Sequence, residues 1–301
     1  MAQPLRGRNL ALLLFLGAIW GTAFMFISLG VDVGRAFHDV PVLFAAYRFD
    51  LAGAVILLVA LVRRARMLPT APRQWAAIGV AAVLNVGAYH AFLFWGQRYT
   101  TEVVASVIVG LNPIITTVLS TAILSDERVG WHQIVGLVLG FGGIVVLAAL
   151  KGGSLLDARG LGELMIALAV ASWSLGSTLV RRTKHGMDVF AFTAWQMLLG
   201  ALLLHLSSLA VEHGRQPTWD APGVVSLVYL AIVSSSLGFL VYFTLLERVG
   251  PIRSNLVSHI APVFAALAGF LVLHTGFEWR ALLAFVLIAS GFLLVARPTR
   301  A

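Results

Sequence analysis

Long apolar runs alternate with short polar segments along almost the whole chain. Each run holds about 20 residues, the length that an α-helix needs to cross the hydrocarbon core of a bilayer. The pattern predicts ten transmembrane helices, at residues 9–31, 41–62, 74–97, 102–124, 131–150, 160–181, 189–210, 221–246, 252–273 and 278–296. The eighth run carries the weakest signal, because Ser234, Ser235 and Ser236 interrupt it. The sequence therefore predicts an all-α integral membrane protein.

The composition supports the same class of protein. The 301 residues are 59% hydrophobic and only 11% charged, whereas soluble domains carry about 25% charged residues. The absence of cysteine excludes disulfides and thiolate-bound metals, and the sequence has no phosphate-binding loop or zinc-protease motif. We therefore expect no metal and no cofactor. The net charge of +8 does not indicate a nucleic-acid partner, because the basic residues lie in short loops beside apolar runs.

The distribution of Lys and Arg predicts how the helices are oriented. With the N-terminus placed in the cytoplasm, 14 of these residues fall on the inner side and 6 on the outer side. Short cytoplasmic loops of membrane proteins are enriched in Lys and Arg. We therefore expect a multi-pass protein of the cytoplasmic (inner) membrane, embedded in the lipid bilayer with both termini in the cytoplasm.

The two halves of the chain resemble each other. When residues 105–124 are aligned with 254–273, Pro113 matches Pro262 at an offset of 149 residues, and Gly142 matches Gly291 at the same offset. The chain thus divides into two repeats, 9–150 and 160–297, with five predicted helices each. Because five is odd, the second repeat enters the membrane from the opposite side. Inverted repeats of this kind, related by a pseudo-two-fold axis around a central cavity, are typical of alternating-access transporters.

Four motifs follow one another along the first half of the chain in an order that is typical of one membrane-protein family. They are WGTAF at 20–24, YRFDLAG at 47–53, LNP at 111–113 followed by Glu127, and GLVLGFGGIVVL at 136–147. With these motifs the chain resembles the drug/metabolite transporter superfamily, specifically the ten-span family with two EamA domains. The resemblance covers residues 9–146 and 161–296.

The resemblance implies a secondary carrier for a small organic metabolite, often an exporter of amino acids or related compounds, and not an enzyme. Three alternatives stay open: a facilitative or exchange carrier, an intramembrane enzyme, and a membrane subunit without transport activity. An enzyme would need acids, histidines or metal ligands clustered at one depth. In this sequence such residues are scattered singly, which favours a transporter.

Two ionisable residues lie inside the second predicted helix, where charges are costly and often functional. Asp50 lies about 14 Å along the helix axis from Pro41 at a rise of 1.5 Å per residue, and it is a candidate proton carrier. Arg48 has a planar guanidinium that suits a carboxylate, and it is a candidate substrate anchor. Residues two apart on a helix are separated by about 200°, so these two cannot share one partner. The alternative is that interhelical hydrogen bonds satisfy both side chains.

His90 lies deep in the third predicted helix and is a candidate for substrate binding and for proton exchange, because imidazole titrates near physiological pH. Gly87, Phe94 and Gln97 share one helical stripe with it, at i−3, i+4 and i+7, and Gln97 is a second candidate. Tyr89, about 100° to the side, is a third. The alternative is that His90 is a buried structural residue.

Aromatic residues and prolines complete the candidate set. Trp20 and Trp173 occupy matching places in the two halves and are expected to line the cavity, and Tyr242 is a further candidate contact. Pro113 and Pro262 are candidate hinges, because each removes a helical hydrogen bond. Static kinks are the alternative for both prolines.

GxxxG pairs predict where helices approach each other closely. Gly17 and Gly21 form one such pair in the first helix, and Gly136 and Gly140 form another in the fifth. Static packing explains such pairs equally well. The other interpretation makes the fifth and tenth helices a scaffold or the face of a homodimer.

Overall fold

The computed structural model describes residues 5–31, 34–97, 99, 105, 108–125, 127–150, 160–272 and 280–296. Within these ranges the chain is mainly helical and has no strand, so the all-α prediction is confirmed there. In chain order the longer helices are α1 (Arg8–Val31), α2 (Pro41–Val62), α3 (Pro72–Gly96), α4 (Asn112–Ile123), α5 (Trp131–Leu150), α6 (Leu161–Thr183), α7 (Val189–Val211), α8 (Ala221–Val249), α9 (Val257–Val272) and α10 (Arg280–Ala296).

Six of these helices, α1, α2, α3, α6, α7 and α8, are long and apolar enough to cross a membrane. Shorter apolar helices occur at α4, α5 and α10. The bounds of the six long helices lie close to the predicted ones, whereas α9 begins five residues late because a separate helical turn, Pro251–Ser254, precedes it. The predicted division between the repeats, 151–159, lies outside the described residues. The count of ten spans stays a prediction.

Two of the long helices change their hydrogen-bonding pattern near the middle. The segments Ala81–Ala88 of α3 and Leu230–Leu237 of α8 are π-helical, and they begin 149 residues apart. In a π-helix the backbone bonds reach one residue further than in an α-helix, and such segments are frequent at functional sites. Ser234, Ser235 and Ser236 lie in the second segment. They therefore alter the geometry of α8 but do not end the helix.

Long helices pack in pairs, and small residues set the closest approaches. α2 lies along α7, α5 along α10, and α1 along α9. A Cβ on Gly21 would lie 2.5 Å from the carbonyl oxygen of Ala261, and a Cβ on Gly136 would lie 2.6 Å from that of Gly291. Both GxxxG pairs are thus used within the chain, by α1 against α9 and by α5 against α10. A homodimer through the remaining faces of α5 and α10 stays a prediction.

The two candidate hinge prolines have different local settings. Pro113 stands in the first turn of α4, where a missing N–H removes no helical hydrogen bond. Pro262 stands inside α9, where it does remove one. Only Pro262 therefore has the mid-helix setting expected of both, and the hinge role of each stays a prediction.

Candidate functional site

Three aromatic rings from three helices meet near the centre of the bundle. Trp20 of α1 and Trp173 of α6 lie 5.6 Å apart between ring centroids and meet edge to face. Tyr242 of α8 lies 5.5 Å from Trp20 and 5.0 Å from Trp173. The tryptophans that occupy matching places in the two halves are thus direct neighbours, as a shared site requires.

Further rings extend this group toward α3. Tyr89 lies 5.0 Å from Trp173 and 4.8 Å from His90. Phe239 of α8 lies 5.7 Å from Trp173 and 6.5 Å from His90. These ring contacts join α1, α3, α6 and α8, and Arg48 adds a fifth helix, α2; we call the group the central cluster. Its members are Trp20, Arg48, Tyr89, His90, Trp173, Ser234, Ser235, Phe239 and Tyr242.

A hydrogen-bond network fixes the aromatic part of the cluster. The indole N–H of Trp173 donates to Asn255 Oδ1 at 2.8 Å and to the hydroxyl oxygen of Tyr242 at 3.1 Å. The Tyr242 hydroxyl also lies 2.6 Å from Ser177 Oγ. These polar groups are buried, where unpaired donors and acceptors would be costly. The network therefore fixes the ring positions and keeps the polar atoms paired.

Arg48 contributes a buried charge to the cluster. Its side chain donates from Nε to Ser235 Oγ at 2.6 Å and from a terminal nitrogen to Ser234 Oγ at 3.1 Å. The residue is only 5% exposed. Among the described residues, no carboxylate forms an ion pair with it. The guanidinium carbon also lies 5.3 Å from the centroid of the Phe49 ring. Because neither the hydroxyl groups nor the ring neutralises its charge, the buried guanidinium is suited to bind an anion.

Both π segments supply a backbone carbonyl to the cluster. The indole N–H of Trp20 donates to the carbonyl oxygen of Ser234 at 3.1 Å. His90 Nδ1 lies 2.9 Å from the carbonyl oxygen of Val86. Because a carbonyl oxygen only accepts, Nδ1 carries the proton in this contact, and Nε2 is the second ring nitrogen of a neutral imidazole. Irregular backbone inside a membrane protein is tolerated where protein groups satisfy it, as they do at these two carbonyls.

Asp50 lies on another face of α2 and outside the central cluster. Its Oδ2 lies 2.6 Å from His205 Nε2 of α7. The side chain of Asp50 is 47% exposed and that of His205 is 32% exposed, in contrast to Arg48. The prediction that Arg48 and Asp50 cannot share a partner is therefore confirmed.

The predicted stripe around His90 is only partly assembled. Phe94 is buried and its ring stacks 6.3 Å from that of His90. Gly87 faces Leu203 of α7, and Gln97 lies just beyond the end of α3. Only Gly87 lies in the π segment, which ends at Ala88 and changes the rotation per residue there, whereas His90 and Phe94 lie in the regular helix that follows. Any substrate contact of Gln97 stays a prediction.

Sequence reasoning missed several partners in this region. Phe239, Ser177 and Asn255 belong to the cluster or its network, and His205 pairs with Asp50. Their types are common in membrane helices, so only a contact between helices reveals them. Ser234 and Ser235 did leave a signal, namely the interruption of an apolar run. In the described part of the chain, no three His, Asp or Glu side chains come together as a metal site.

A pocket of about 350 Å³, lined by both apolar and charged residues, opens at the end of the bundle where α6 and α8 end. His185, which follows α6, lies on its wall with Nε2 3.4 Å from Glu247 Oε1. The backbone N–H of Met187 donates to His185 Nδ1 at 3.1 Å. Burial, with a smaller contribution from the Arg73 charge, lowers the pKa of His185. The neutral ring thus joins this loop to α8.

The long apolar helices define a multi-pass helical membrane protein. The EamA-like transporter family matches residues 8–149 and 160–297. Because these segments cover nearly the whole chain, the protein belongs to this family, within the drug/metabolite transporter superfamily. The resemblance inferred from the motifs is therefore confirmed.

Similar proteins span the same length. The uncharacterized transporter YvbV of Bacillus subtilis is 27% identical over 301 residues, covering 100% of this chain and 95% of the relative. The protein PecM of Dickeya dadantii is 30% identical over 284 residues, covering 92% of this chain and 88% of PecM. A crystal structure with 23% identity superposes with a TM-score of 0.77 over 96% of both chains, which supports the fold alone.

Proposed function

We propose that this protein is a secondary transporter that moves a small organic metabolite, such as an amino acid or a related compound, across the cytoplasmic membrane by alternating access. Export is the direction favoured by the family resemblance. The observation that carries the proposal is the central cluster, where Arg48 is buried without a carboxylate partner among the described residues. Its charge attracts an anionic group of the substrate, and the rings contact the apolar body.

Matching features of the two halves support a pair of inverted five-helix repeats, 9–150 and 160–297. The π segments of α3 and α8 share the offset of 149 residues with Pro113 and Pro262. The packing is also matched, because α1 lies on α9 and α4 lies on α6. In inverted-repeat transporters the substrate binds at the repeat interface near the middle of the membrane. The contact between Trp20, from the first proposed repeat, and Trp173, from the second, supports a binding site between the repeats.

In the proposed topology ten helices cross the membrane and both termini lie in the cytoplasm. The bias of Lys and Arg toward the inner loops supports this orientation. A fluorescent tag that folds only in the cytoplasm should then be bright at either terminus. A dark C-terminal fusion of a well-expressed protein would contradict the topology.

Proton coupling is the second part of the proposal. Asp50 and His205 form a close pair of titratable groups between α2 and α7, and a proton can transfer between such groups. His90, inside the cluster, is the other candidate. A facilitative or exchange carrier is the competing function, and it needs neither group to titrate.

Transport is tested with the purified protein in proteoliposomes. Counterflow of labelled amino acids, purines, organic acids and cationic drugs should reveal at least one substrate, and Arg48→Gln should abolish its uptake. Empty liposomes are the control. A pH gradient without other driving force should accumulate the substrate if transport is proton-coupled. Absence of counterflow for every compound, with folded protein in the membrane, would contradict the transporter function.

A further inference from the structure

A phenylalanine follows each π segment at the same distance along its helix. Phe94 of α3 and Phe243 of α8 lie 149 residues apart, the offset that also relates the two π segments. Each ring contacts the member of the central cluster that stands four positions before it. The distance between ring centroids is 6.3 Å for Phe94 and His90. It is 6.1 Å for Phe243 and Phe239. The two halves of the chain therefore place equivalent rings against the cluster.

These two phenylalanines lie on opposite sides of the central cluster. Gln74, in the first turn of α3, donates from Nε2 to the carbonyl oxygen of His185 at 3.3 Å. His185 also contacts Glu247, in the last turn of α8. α3 therefore begins at the end of the bundle where α8 ends, and the two helices run in opposite directions. Because Phe94 and Phe243 each come after the cluster residues of their helix, they lie toward opposite faces of the membrane.

Phe243 lies between the central cluster and the pocket at the end of α6 and α8. The residue is 2% exposed and forms part of the wall of this pocket of about 350 Å³. Toward the cluster, its ring lies 5.2 Å from that of Tyr242 and contacts Phe239. Phe192 of α7 lies 5.1 Å from Phe243 and stacks on His185. A displacement of the Phe243 side chain would therefore connect the pocket with the cluster.

A continuous series of ring contacts joins the two phenylalanines through the cluster. In order, its members are Phe94, His90, Phe239 and Phe243. The central contact, between His90 and Phe239, has a centroid distance of 6.5 Å. Chains of packed side chains can carry energetic coupling between distant sites. A ligand in the cluster can therefore act on the rings at both ends of the series.

We propose that Phe243 and Phe94 are the two gates of the substrate pathway, Phe243 on the cytoplasmic side and Phe94 on the outer side. The inference rests on the proposed function and its topology, and it names the residues that close the pathway. Both rings are buried in the conformation that the structure describes. Helices bend at π segments, so a bend in α3 or α8 moves the phenylalanine that follows. Because the repeats are inverted, the same local change opens opposite sides in the two halves.

Labelling of a cysteine in the cluster tests both gates. The chain has no cysteine, so Ser234→Cys introduces a single thiol at a position that is 1% exposed. A membrane-impermeant thiol reagent is added to right-side-out and to inside-out membrane vesicles, so that it reaches one side of the protein at a time. Adding Phe243→Ala should raise the labelling rate from the cytoplasmic side at least about tenfold, because the rate follows the fraction of open protein. Adding Phe94→Ala should have the same effect from the outer side.

The matched control is Phe37→Ala, which should leave both labelling rates unchanged. The Phe37 ring is also buried, but it contacts Phe44 and Trp219, which lie outside the cluster. Phe243→Leu and Phe94→Leu remove fewer atoms than the alanine variants, and they decide the test if those variants do not fold. They should raise the same rates by a smaller factor. Unchanged rates in folded variants, or increases from the same side for both phenylalanines, would overturn the inference.

Counterflow in proteoliposomes separates this inference from the proposed function, because labelling needs no substrate. Labelling that responds to each gate on its own side, without counterflow of any compound, would leave the gates standing and contradict transport. Counterflow in the parent protein, together with labelling rates that do not respond to either gate variant, would overturn the gates and leave the transporter function standing.

Discussion

The central cluster and the α5–α10 seam are both buried helix contacts, but they are built from opposite kinds of residue. In the cluster, large rings and the Arg48 guanidinium fill the space between helices. In the seam, glycines bring the two backbones close, and a Cβ on Gly143 would lie 2.7 Å from the carbonyl oxygen of Ala284. The cluster is thus built mainly from rings, hydroxyl groups and a charge, whereas the seam is built mainly from close backbone contacts, with one side-chain hydrogen bond from Gln133 to the carbonyl oxygen of Val295.

This difference indicates a division of roles. Rings and hydroxyl groups can exchange partners with a ligand, because equivalent contacts are restored when the ligand binds. Close glycine contacts are stabilised mainly by van der Waals packing between backbones, and they are lost if the helices separate. We therefore expect the cluster to determine transport and the seam to determine stability, with little overlap between the two.

Arg48→Gln is expected to have the largest effect. The substitution removes the only charge that the described cluster offers to an anion, and hydrogen bonds between charged groups are each worth about 1.5–3 kcal/mol. Substrate binding and counterflow in proteoliposomes should fall at least about tenfold, while the melting temperature stays close to that of the parent protein. Normal flux in this variant would show that Arg48 is not needed for transport. The central cluster and the α5–α10 seam would then not differ in role as proposed.

Asp50→Asn is expected to have a narrower effect. The amide preserves the shape of the side chain but cannot release a proton. The substitution therefore tests proton transfer at the contact with His205 without leaving a cavity. Accumulation driven by a pH gradient should be lost, whereas substrate exchange at equal pH should continue. His205→Gln should give the same result. Uphill transport that persists in both variants would assign the pair to structure and favour a facilitative carrier.

Much of the helical framework follows from apolar runs alone. α2 and α5 begin and end at the predicted residues, because a run of about 20 apolar residues has one favourable conformation in lipid. The start of α9 was predicted five residues early, because the run was taken to begin at Ile252 although Arg253, Ser254 and Asn255 are polar and Pro251–Ser254 forms a separate helical turn.

The site was predictable only in part. Matching positions in the two halves singled out Trp20 and Trp173 as cavity-lining candidates; the structure shows that their rings are in contact, and the cavity-lining role stays a prediction. His205 carried no signal, because its importance arises from a contact with Asp50 across 155 residues of sequence. The role of Gln97 stays a prediction, and the structure places this residue at the C-terminal end of α3. Whether such a residue belongs to the candidate site depends on its contacts with other helices, which its position along one helix does not reveal.

The seam is tested by two adjacent glycines. A Cβ on Gly143 would lie 2.7 Å from a backbone oxygen of α10, whereas a Cβ on Gly142 would meet nothing within 4 Å. Gly143→Ala should therefore force α5 and α10 apart at a cost of about 1–3 kcal/mol, lowering the melting temperature in detergent by several degrees. Gly142→Ala, the matched control, should leave it unchanged. If Gly143→Ala lowered flux strongly but left the melting temperature nearly unchanged, the seam would determine transport as well, which would contradict the division of roles.

The smallest expected effect concerns His185, which belongs neither to the central cluster nor to the α5–α10 seam. Burial lowers the pKa of this ring below its ordinary value of about 6.5. In the unfolded chain His185 takes up a proton below about pH 6.5, whereas in the folded loop it does so only at a lower pH. The free energy of unfolding therefore has its full value above that pH and decreases as the pH falls. Protonation also removes the acceptor that binds the Met187 N–H. The melting temperature should drop by about 2–4 °C between pH 7.5 and pH 5, and the drop should shrink in His185→Gln. If the variant keeps the full pH dependence, the loop between α6 and α7 is not its source.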